Sequence, residues 1–315
     1  MSVATEHIYT LADLDHWPTD KAEFPDGGTA LAVIGHPIAH SLSPVMQNAA
    51  LAALAKTDPQ FAKWRYFKFD IHPGDELERA LKEFYEKGFL GLNLTVPHKA
   101  LVVQHLESKA AFVETAGAAN TLKSTKTQWW HGENTDGYGL SEALRVDLSV
   151  CLKGSHVILL GTGGAARAAG VECLQQNCAS LSIGYRTRAN VEALLARLRP
   201  LAGQIPIHDF VLAQPPTNLP ANAVLINATS LGLKPDDKSP LDLNLLNEKP
   251  AQVFDMIYRP SQTDLLRKAA RMGIPTANGL AMLVHQGARS LEIWTGQSSP
   301  VATMQAAAQQ ALAAH

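Results

Sequence analysis

The glycine-rich segment GTGGAA, at residues 161–166, has the residue types and spacing that bind the pyrophosphate of a dinucleotide. It follows the apolar run HVILL at residues 156–160 and opens an alanine-rich stretch that predicts a helix. Gly161 permits the tight turn, and Gly163 lets the backbone approach a phosphate, where the helix N-terminus supplies amide donors. Such turns also occur without a ligand, but the strand before this one and the helix after it favour a dinucleotide site.

The residues after the next predicted strand, at 181–185, indicate which dinucleotide binds. An NAD site usually carries Asp or Glu about 20 residues after the glycine turn, where it accepts a hydrogen bond from the ribose 2′-hydroxyl. This chain has Arg186, Thr187 and Arg188 there, and no acid. Two guanidinium groups and a hydroxyl suit a 2′-phosphate, so the loop favours NADP. The alternative is that these arginines are merely solvated in a loop.

Two serines in the first half of the chain precede a predicted helix. Ser43 is expected to be the N-cap of that helix, with Pro44 as its first residue. Capping does not explain Ser41, and the two hydroxyl groups together with the helix N-terminus are suited to hold a carboxylate.

Two further motifs combine polar side chains with a charged group. The motif NLTVPHK, at residues 93–99, places Lys99 just after a buried predicted strand. The motif NTDG, at residues 134–137, begins a predicted helix with Asp136. Taken singly, each has an ordinary structural explanation, such as a surface lysine or a helix start.

The elements that must position these groups alternate between strand and helix. In the first half, strands are predicted at 30–35, 64–71 and 89–96, and helices at 43–56 and 75–87. In the second half, strands are predicted at 156–160, 181–185, 205–210, 223–228 and 253–257, with helices after residue 164, at 189–198 and at 263–272 and a mostly helical tail from residue 280. This alternation predicts an α/β fold built from parallel βαβ units.

Composition limits the functional classes. With 315 residues, 46% hydrophobic and 18% charged, the chain is long enough for two domains with real cores. A net charge of −2 does not indicate a protein that binds nucleic acid or an anionic membrane. No apolar run reaches membrane-spanning length, and residues 1–20 lack a signal-peptide pattern, so we expect a cytoplasmic protein. The 3 cysteines form no CxxC pair and predict no zinc site.

Read in order, the motifs of this chain resemble the shikimate dehydrogenase family over about residues 30–296. The matching segments are GHPIAHSLSP (35–44), NLTVPHK (93–99), GAANTL (117–122), ENTDGYG (133–139), GTGGAA (161–166), INATSLG (226–232), YRPSQT (258–263) and NGLAMLVHQGA (278–288). The resemblance implies two domains: a Rossmann-like NADP-binding domain, residues 137–278, inserted into an α/β substrate domain formed by residues 1–136 and 279–315.

The resemblance also implies a role for each matching residue. It makes Lys99 and Asp136 the catalytic pair. The implied substrate-binding residues are Ser41, Ser43, Asn93, Thr95, Asn120, Tyr258 and Gln286. The implied cofactor-binding residues are Gly161, Gly163, Gly164, Ala165, Arg186, Thr187, Arg188, Asn227, Thr229, Gly279 and Met282. His36, His40 and His98 flank these motifs and are expected to shape the loops.

The implied activity is the reversible, NADP-dependent reduction of 3-dehydroshikimate to shikimate, without a metal, on the route to chorismate and the aromatic amino acids. The expected partners are this small substrate and NADPH, with no nucleic acid or membrane, and the chain is expected to be a monomer or homodimer. Two alternatives stay open: a quinate/shikimate dehydrogenase that uses NAD, and an inactive relative that senses a metabolite. An inactive relative is expected to lack Lys99 or Asp136, and this chain has both.

The chain departs from the family pattern in its cofactor loop. The usual motif is Asn-Arg-Thr with a second arginine three residues beyond the threonine. Here Tyr185 replaces the asparagine and Asn190 occupies the position of the second arginine. Arg188 is a possible substitute with a different geometry. The leader before Thr29 is also longer than the common family start, and the sequence suggests no function for it.

Overall fold

The computed structural model describes residues 7–17, 28–73, 75–125, 129–216, 219–220, 222–234 and 236–314. The chain forms two compact units: the first comprises Met1–Thr135 with Gln286–His315, and the second comprises Asp136–His285. Each unit has its own β-sheet with associated helices, as the alternation of predicted strands and helices indicates. The α/β class predicted from the sequence is therefore confirmed.

The first unit contains a mixed seven-stranded sheet. Its strands are β1 (Tyr9–Thr10), β2 (Ala30–Gly35), β3 (Arg65–Asp70), β4 (Gly91–Leu94), β5 (Ser108–Lys109), β6 (Thr121–Ser124) and β7 (Trp130–Glu133). They lie in the order β1-β3-β2-β4-β6-β7-β5. The first four in that order are parallel neighbours, whereas β6 runs antiparallel to β4 and β7. The helices before residue 135 are α1 (Leu11–Asp15), α2 (Ser43–Leu54), α3 (Asp75–Glu86), α4 (His98–Leu101) and α5 (Ala111–Ala116).

The start of α2 corrects the capping prediction. The helix begins at Ser43 itself, its N-cap residue is Leu42, and no side chain caps it from that position. Ser41 takes over part of the capping role, because its Oγ accepts a hydrogen bond from the Ser43 N–H at 3.3 Å. The prediction that Ser43 is the N-cap, and that Ser41 has no part in capping, is therefore wrong.

The described part of the leader, residues 7–17, belongs to the core of the first unit. Tyr9 pairs with Phe69 as an additional edge strand, and Trp17 is 6% exposed. The Trp17 ring lies 4.9 Å from Phe67 and 5.6 Å from Phe89, in edge-on and tilted geometries. Burial of such large rings contributes to folding, so this segment has a structural role that the sequence did not predict.

The second unit contains six parallel strands. They are β8 (His156–Leu160), β9 (Ser180–Tyr185), β10 (Ile207–Val211), β11 (Val224–Asn227), β12 (Gln252–Asp255) and β13 (Thr276–Asn278). Its helices are α6 (Asp136–Leu148), α7 (Gly164–Gln175), α8 (Arg188–Ala202) and α9 (Asp264–Arg271). The strand order β10-β9-β8-β11-β12-β13 reverses between β8 and β11. In a doubly wound sheet, ligands bind at this reversal, outside the carboxyl ends of the strands.

Two helices complete the chain: α10 (Leu280–Thr295), which contributes residues to both units, and α11 (Val301–Ala313) in the first unit. Trp294 of α10 donates a hydrogen bond from Nε1 to the Leu122 carbonyl at 2.8 Å, which fixes the end of the helix against β6. Among the described residues, no helix combines the length and apolar character needed to cross a membrane.

Candidate active site

Two of the predicted motifs meet at the carboxyl ends of the neighbouring strands β2 and β4. The His36 N–H donates to the Val96 carbonyl at 3.0 Å, and the Thr95 N–H donates to the Ile34 carbonyl at 3.0 Å. From β3, the buried Lys68 donates from Nζ to the Ala39 carbonyl at 3.2 Å. The structure thus brings the serine-bearing loop, residues 36–42, against the motif that carries Thr95 and Lys99.

Lys99 lies on α4, which is anchored at two points. The fully buried His98 donates from Nε2 to the Ile71 carbonyl at 2.7 Å, and burial lowers the pKa of this imidazole because it disfavours the charged form. The Ala119 N–H donates to the Lys99 carbonyl at 2.8 Å. These bonds fix the backbone of Lys99 next to the segment that carries Asn120, and they give His98 the loop-shaping role expected of it.

Asn120 and Gln286 are far apart in the sequence but touch in the first unit. Asn120 is 1% exposed and donates from Nδ2 to Gln286 Oε1 at 3.2 Å and to Thr135 Oγ1 at 3.0 Å. Its Oδ1 accepts a hydrogen bond from the Thr135 N–H at 2.8 Å. Asn120 therefore connects Gln286, a predicted substrate ligand, to Thr135, the residue directly before Asp136.

Asn93 occupies the centre of a buried polar network. Its Nδ2 lies 3.0 Å from the Asn120 carbonyl, 3.1 Å from Thr121 Oγ1 and 3.0 Å from Ser290 Oγ. Its Oδ1 accepts a hydrogen bond from the Tyr66 hydroxyl at 2.7 Å. Tyr66, Thr121 and Ser290 are not among the site residues predicted from the sequence. For Ser290 a signal existed, since it lies one helical turn after Gln286 on the same face of α10.

Asp136 is the first residue of α6, in the second unit, and is 3% exposed. A carboxylate in the first turn is stabilised by the amide groups and dipole of the helix N-terminus. The residue before it in the chain, Thr135, ends the first segment of the first unit, and its amide donates a hydrogen bond to Asn120 Oδ1.

The glycine turn of the second unit leads directly from β8 into α7. Gly161 has φ of +112°, and a Cβ there would lie 2.9 Å from the Ala228 carbonyl oxygen, so only glycine fits without strain. A Cβ added at Gly163 or Gly164 would meet nothing within 4 Å. The space beside both glycines at the start of α7, in the turn that includes Ala165, is therefore open, as a pyrophosphate site requires.

The loop after β9 exposes all three residues predicted to bind the 2′-phosphate. Arg188 forms ion pairs with Glu192 at 2.9 Å and Asp209 at 2.8 Å. The hydrogen bond to the Tyr185 hydroxyl, followed by the interactions with Glu192 and Asp209, raises the pKa of the Arg188 guanidinium. Among the described residues, Arg186 has no such ion pair, so it is the better placed of the two arginines to meet a phosphate.

Asn227 is fully buried at the carboxyl end of β11, and its amide is used inside the protein. Its Nδ2 donates to Asp255 Oδ1 at 2.9 Å, and its Oδ1 accepts hydrogen bonds from the N–H of Thr229 at 3.0 Å and its hydroxyl at 2.8 Å. Asp255 also accepts a hydrogen bond from the Thr263 hydroxyl at 2.7 Å, and burial raises the pKa of its carboxyl. Asn227 thus shapes the loop next to Gly161 rather than presenting a free side chain.

The remaining predicted residues lie at the end of the second unit. Gly279 is required by packing, because a Cβ there would lie 2.0 Å from the Met256 carbonyl oxygen. Met282, in the first turn of α10, is 9% exposed. Tyr258 follows β12 and is half-buried, and burial raises the pKa of its phenol. Among the described residues, no cluster of three or more His, Cys, Asp or Glu side chains is arranged to hold a metal.

Two family models match parts of this chain. The model of the shikimate dehydrogenase substrate binding domain matches residues 33–122, and that of the shikimate 5′-dehydrogenase C-terminal domain matches residues 279–309. A protein named shikimate dehydrogenase (NADP(+)) from Symbiobacterium thermophilum is 40% identical over 90% of this chain and 95% of its own length. The chain belongs to the shikimate dehydrogenase family.

Other members of the family support this membership over the same span. The shikimate dehydrogenase (NADP(+)) of Methanocella arvoryzae is 39% identical over 90% of this chain and 99% of its own. The crystal structure of shikimate 5-dehydrogenase from Thermus thermophilus, in complex with NADP(H) and shikimate, aligns with a TM-score of 0.77 and 33% identity. That alignment covers 90% of this chain and all of that one (100%). The two-unit α/β architecture is thus that of the shikimate dehydrogenase family.

Proposed function

We propose that this protein is an NADP-dependent shikimate dehydrogenase that catalyses the reversible reduction of 3-dehydroshikimate to shikimate, a step toward the aromatic amino acids. The observation that carries the proposal is the 40% identity, over 90% of the chain, to a shikimate dehydrogenase (NADP(+)). The chemistry of the site supports the same activity, because the residues proposed to supply each group that the reaction needs all lie in the described part of the chain.

The second unit fits NADPH. The open cradle at Gly163 and Gly164 accommodates the pyrophosphate against the α7 amides, with Ala165 in the same turn. Arg186 and Thr187 take the 2′-phosphate, assisted by Arg188, and the loop of Asn227 and Thr229, with Gly279 and Met282, lines the remainder of the cofactor site. The bound cofactor supplies the hydride that reduces the ring ketone.

The first unit supplies most of the substrate ligands. Ser41 and Ser43 bind the carboxylate at the start of α2, where the helix N-terminus also favours an anion. Thr95, Asn120 and Gln286 bind the ring hydroxyls, with Asn93 and Tyr258 as neighbouring contacts. The direct bond between Asn120 and Gln286 supports a shared role for these two amides.

Lys99 provides the proton for the oxygen that becomes the alcohol. An ammonium group at that oxygen stabilises the developing negative charge and passes a proton to it. The anchoring of α4 by His98 and Ala119 holds the base of this side chain in place. Asp136 orients the ammonium and a substrate hydroxyl. We also propose that the protein is cytoplasmic and acts as a monomer or homodimer.

A steady-state assay of the purified protein tests this function. We expect turnover of shikimate with NADP, slower turnover with NAD, and little with quinate. Comparable rates with quinate and NAD would favour a quinate/shikimate dehydrogenase. No turnover of either substrate with either cofactor, in a folded protein that still binds shikimate, would favour a metabolite sensor.

The Ser43→Ala variant tests the carboxylate site. Loss of one hydrogen bond to a charged group is worth about 1.5–3 kcal/mol, so we expect the KM for shikimate to rise at least about tenfold. Because Ser43 is not the N-cap, no loss of capping energy is expected. The measurement is the KM for each substrate together with the thermal midpoint. An unchanged shikimate KM contradicts the carboxylate role.

A further inference from the structure

Asp255 is a fully buried aspartate at the carboxyl end of β12, with no role in the proposed mechanism so far. It lies directly opposite Asn227, the last residue of β11, in the register of these two parallel strands. Strand β11 is next to the reversal of strand order, where a doubly wound sheet binds its ligand. An aspartate is almost never fully buried unless other groups bind it, so the partners of Asp255 indicate its role.

The hydrogen bonds at one carboxyl oxygen of Asp255 have a direction that backbone groups determine. The Thr229 N–H can only donate, so the Asn227 atom that lies 3.0 Å from it is the oxygen Oδ1. The other amide atom, Nδ2, therefore donates to Asp255 Oδ1 at 2.9 Å. The Ile257 N–H donates to the same oxygen at 3.1 Å. Asp255 Oδ1 thus accepts two hydrogen bonds.

The other carboxyl oxygen, Oδ2, lies 2.7 Å from the Thr263 hydroxyl. Thr263 is the N-cap of α9, and its Oγ1 accepts a hydrogen bond from the Leu266 N–H at 3.3 Å. Because that oxygen accepts from the helix, its proton is available to donate to Asp255. Each described partner of the carboxyl group is then a donor, which favours the ionised form against the cost of burial.

The loop that begins at Asn227 packs against the glycine turn of the second unit. A Cβ added at Gly161 would lie 2.9 Å from the Ala228 carbonyl oxygen and 3.2 Å from Thr229 Cγ2. Within the loop, the Thr229 hydroxyl donates to Asn227 Oδ1 at 2.8 Å, and its oxygen accepts a hydrogen bond from the Leu231 N–H at 3.1 Å. A displacement of this loop therefore changes the surface against which the first glycine of the turn packs.

A second loop is attached to the same carboxylate. The Ile257 N–H donates to Asp255, and the Ile257 carbonyl accepts a hydrogen bond from the Gly279 N–H at 3.2 Å. Gly279 also packs so closely against Met256 that a side chain would not fit. Asp255 is therefore connected to both of the loops that the proposed function assigns to the cofactor, the one with Asn227 and the one that supports Gly279.

We propose that Asp255 is a positioning residue for the dinucleotide, because its carboxylate fixes the loops after β11 and β12 in the arrangement that lines the cofactor site. This inference rests on the proposed function, in which the second unit binds NADP. The hydrogen bonds of Asp255 lie within the protein and persist in the complex. Weakening them lowers the fraction of molecules whose site is ready to bind, and the apparent affinity falls by that fraction.

The test is Asp255→Asn, measured by fluorescence titration with NADPH and NADH and by steady-state kinetics. Asparagine has the size of aspartate but only one acceptor atom, so it cannot accept from the Thr263 hydroxyl on one side and from the Asn227 amide on the other. We expect the Kd for NADPH and that for NADH to rise by the same factor, about tenfold, which equals about 1.4 kcal/mol. The factor is shared because the 2′-phosphate loop follows β9. The KM for shikimate is expected to stay within about twofold.

The matched control is Asp264→Asn, at the first position of α9 in the same unit. The Asp264 carboxylate accepts a hydrogen bond from the Ser239 N–H at 3.0 Å and forms an ion pair with Lys268 at 2.8 Å. Loss of its charge from the first turn is expected to lower the thermal midpoint. We expect the Kd for NADPH to stay at the wild-type value, which separates positioning of the cofactor loops from general stability.

Should Asp255→Asn fail to fold, Thr263→Val replaces it, with Thr263→Ser as its partner. Valine has nearly the shape of threonine but no hydroxyl, so Asp255 Oδ2 loses this donor, whereas serine keeps it. We expect the Kd for NADPH to rise about fivefold in Thr263→Val, the equivalent of one hydrogen bond, and to stay near the wild-type value in Thr263→Ser.

The outcomes are distinct. A less stable Asp255→Asn protein that binds NADPH like the wild type overturns the positioning role, and so does a loss of NADPH affinity that NADH does not share. The titration needs no shikimate. A wild-type protein that binds NADPH but does not turn over shikimate therefore overturns the proposed substrate, while the titration of Asp255→Asn still supports or overturns the role of Asp255. A folded wild-type protein that binds neither dinucleotide overturns both.

Discussion

The Lys99→Ala variant is expected to lose about 10²–10⁴-fold in kcat, the usual contribution of a positioned acid–base group. The side chain supplies both the proton and the positive charge for the oxygen of the reacting ketone, and alanine supplies neither. The KM for shikimate is expected to change less than kcat, because the carboxylate and ring hydroxyls keep their other ligands. Steady-state kinetics with shikimate and NADP measure both quantities.

The control for this variant is Lys82→Ala, on the exposed surface of α3 in the same unit. Lys82 lies 3.9 Å from Glu86, and exposed pairs of this kind contribute little. We expect Lys82→Ala to turn over like the wild type, which excludes a general effect of removing a lysine. A Lys99→Ala protein with wild-type kcat would show that another group carries the proton.

The regular elements of this chain could be predicted because their periodicity is strong. Helix α3 was predicted at residues 75–87 and spans Asp75–Glu86, and β8 was predicted with the bounds it has, His156–Leu160. The hairpin of β6 and β7 was missed. Its strands have four residues each, and Thr121–Ser124 mixes apolar and polar types, so no alternation stands out.

The site was predictable as a set of residues but not as a set of contacts. The motifs identify Ser43, Asn93 and Asn120, but they contain no information about the buried groups between them. Tyr66 stood in an aromatic-rich predicted strand, where one more large side chain is expected to fill the core. Its hydroxyl donates to Asn93 of β4, and a local pattern does not encode a contact between residues so far apart in the sequence.

The capping role of Ser43 was misassigned for a related reason. A serine before a proline is a good sign of a helix start, but the backbone angles decide which residue is the N-cap, and here it is Leu42. Asn227, which the sequence predicts to lie along the cofactor, also uses its amide inside the protein, where Nδ2 donates to Asp255 on the neighbouring strand at 2.9 Å.

The cofactor loop departs from the family pattern at positions 185 and 190, and Arg186→Ala tests what this does to cofactor choice. We expect the wild-type enzyme to prefer NADP, but by a smaller margin than a loop with two phosphate-binding arginines would give. A charge-assisted hydrogen bond to the 2′-phosphate contributes about 1.5–3 kcal/mol. We therefore expect Arg186→Ala to lower the ratio of kcat/KM for NADP to that for NAD by about one to two decades.

Arg188→Ala is the matched control, because the two arginines differ in their partners rather than in their chemistry. Arg188 is bound by Glu192 and Asp209, so two carboxylates already compensate its charge. Redirecting this guanidinium to a phosphate would require breaking those pairs, so we expect a smaller change in the cofactor ratio. If Arg186→Ala leaves the ratio unchanged and Arg188→Ala lowers it, the phosphate is bound by Arg188 and the assignment is reversed.

The Asn190→Arg variant tests the same phosphate-binding loop by adding a guanidinium group instead of removing one. Position 190 lies in the first turn of α8, is exposed, and is three residues beyond Thr187, where the family usually has its second arginine. No acid takes the place of a ribose ligand after β9, so the loop discriminates through attraction of the phosphate alone. Adding a guanidinium there should raise the NADP/NAD ratio by about tenfold. An unchanged ratio would mean that the 2′-phosphate is not bound at the start of α8, and that Asn190 does not explain the narrow margin.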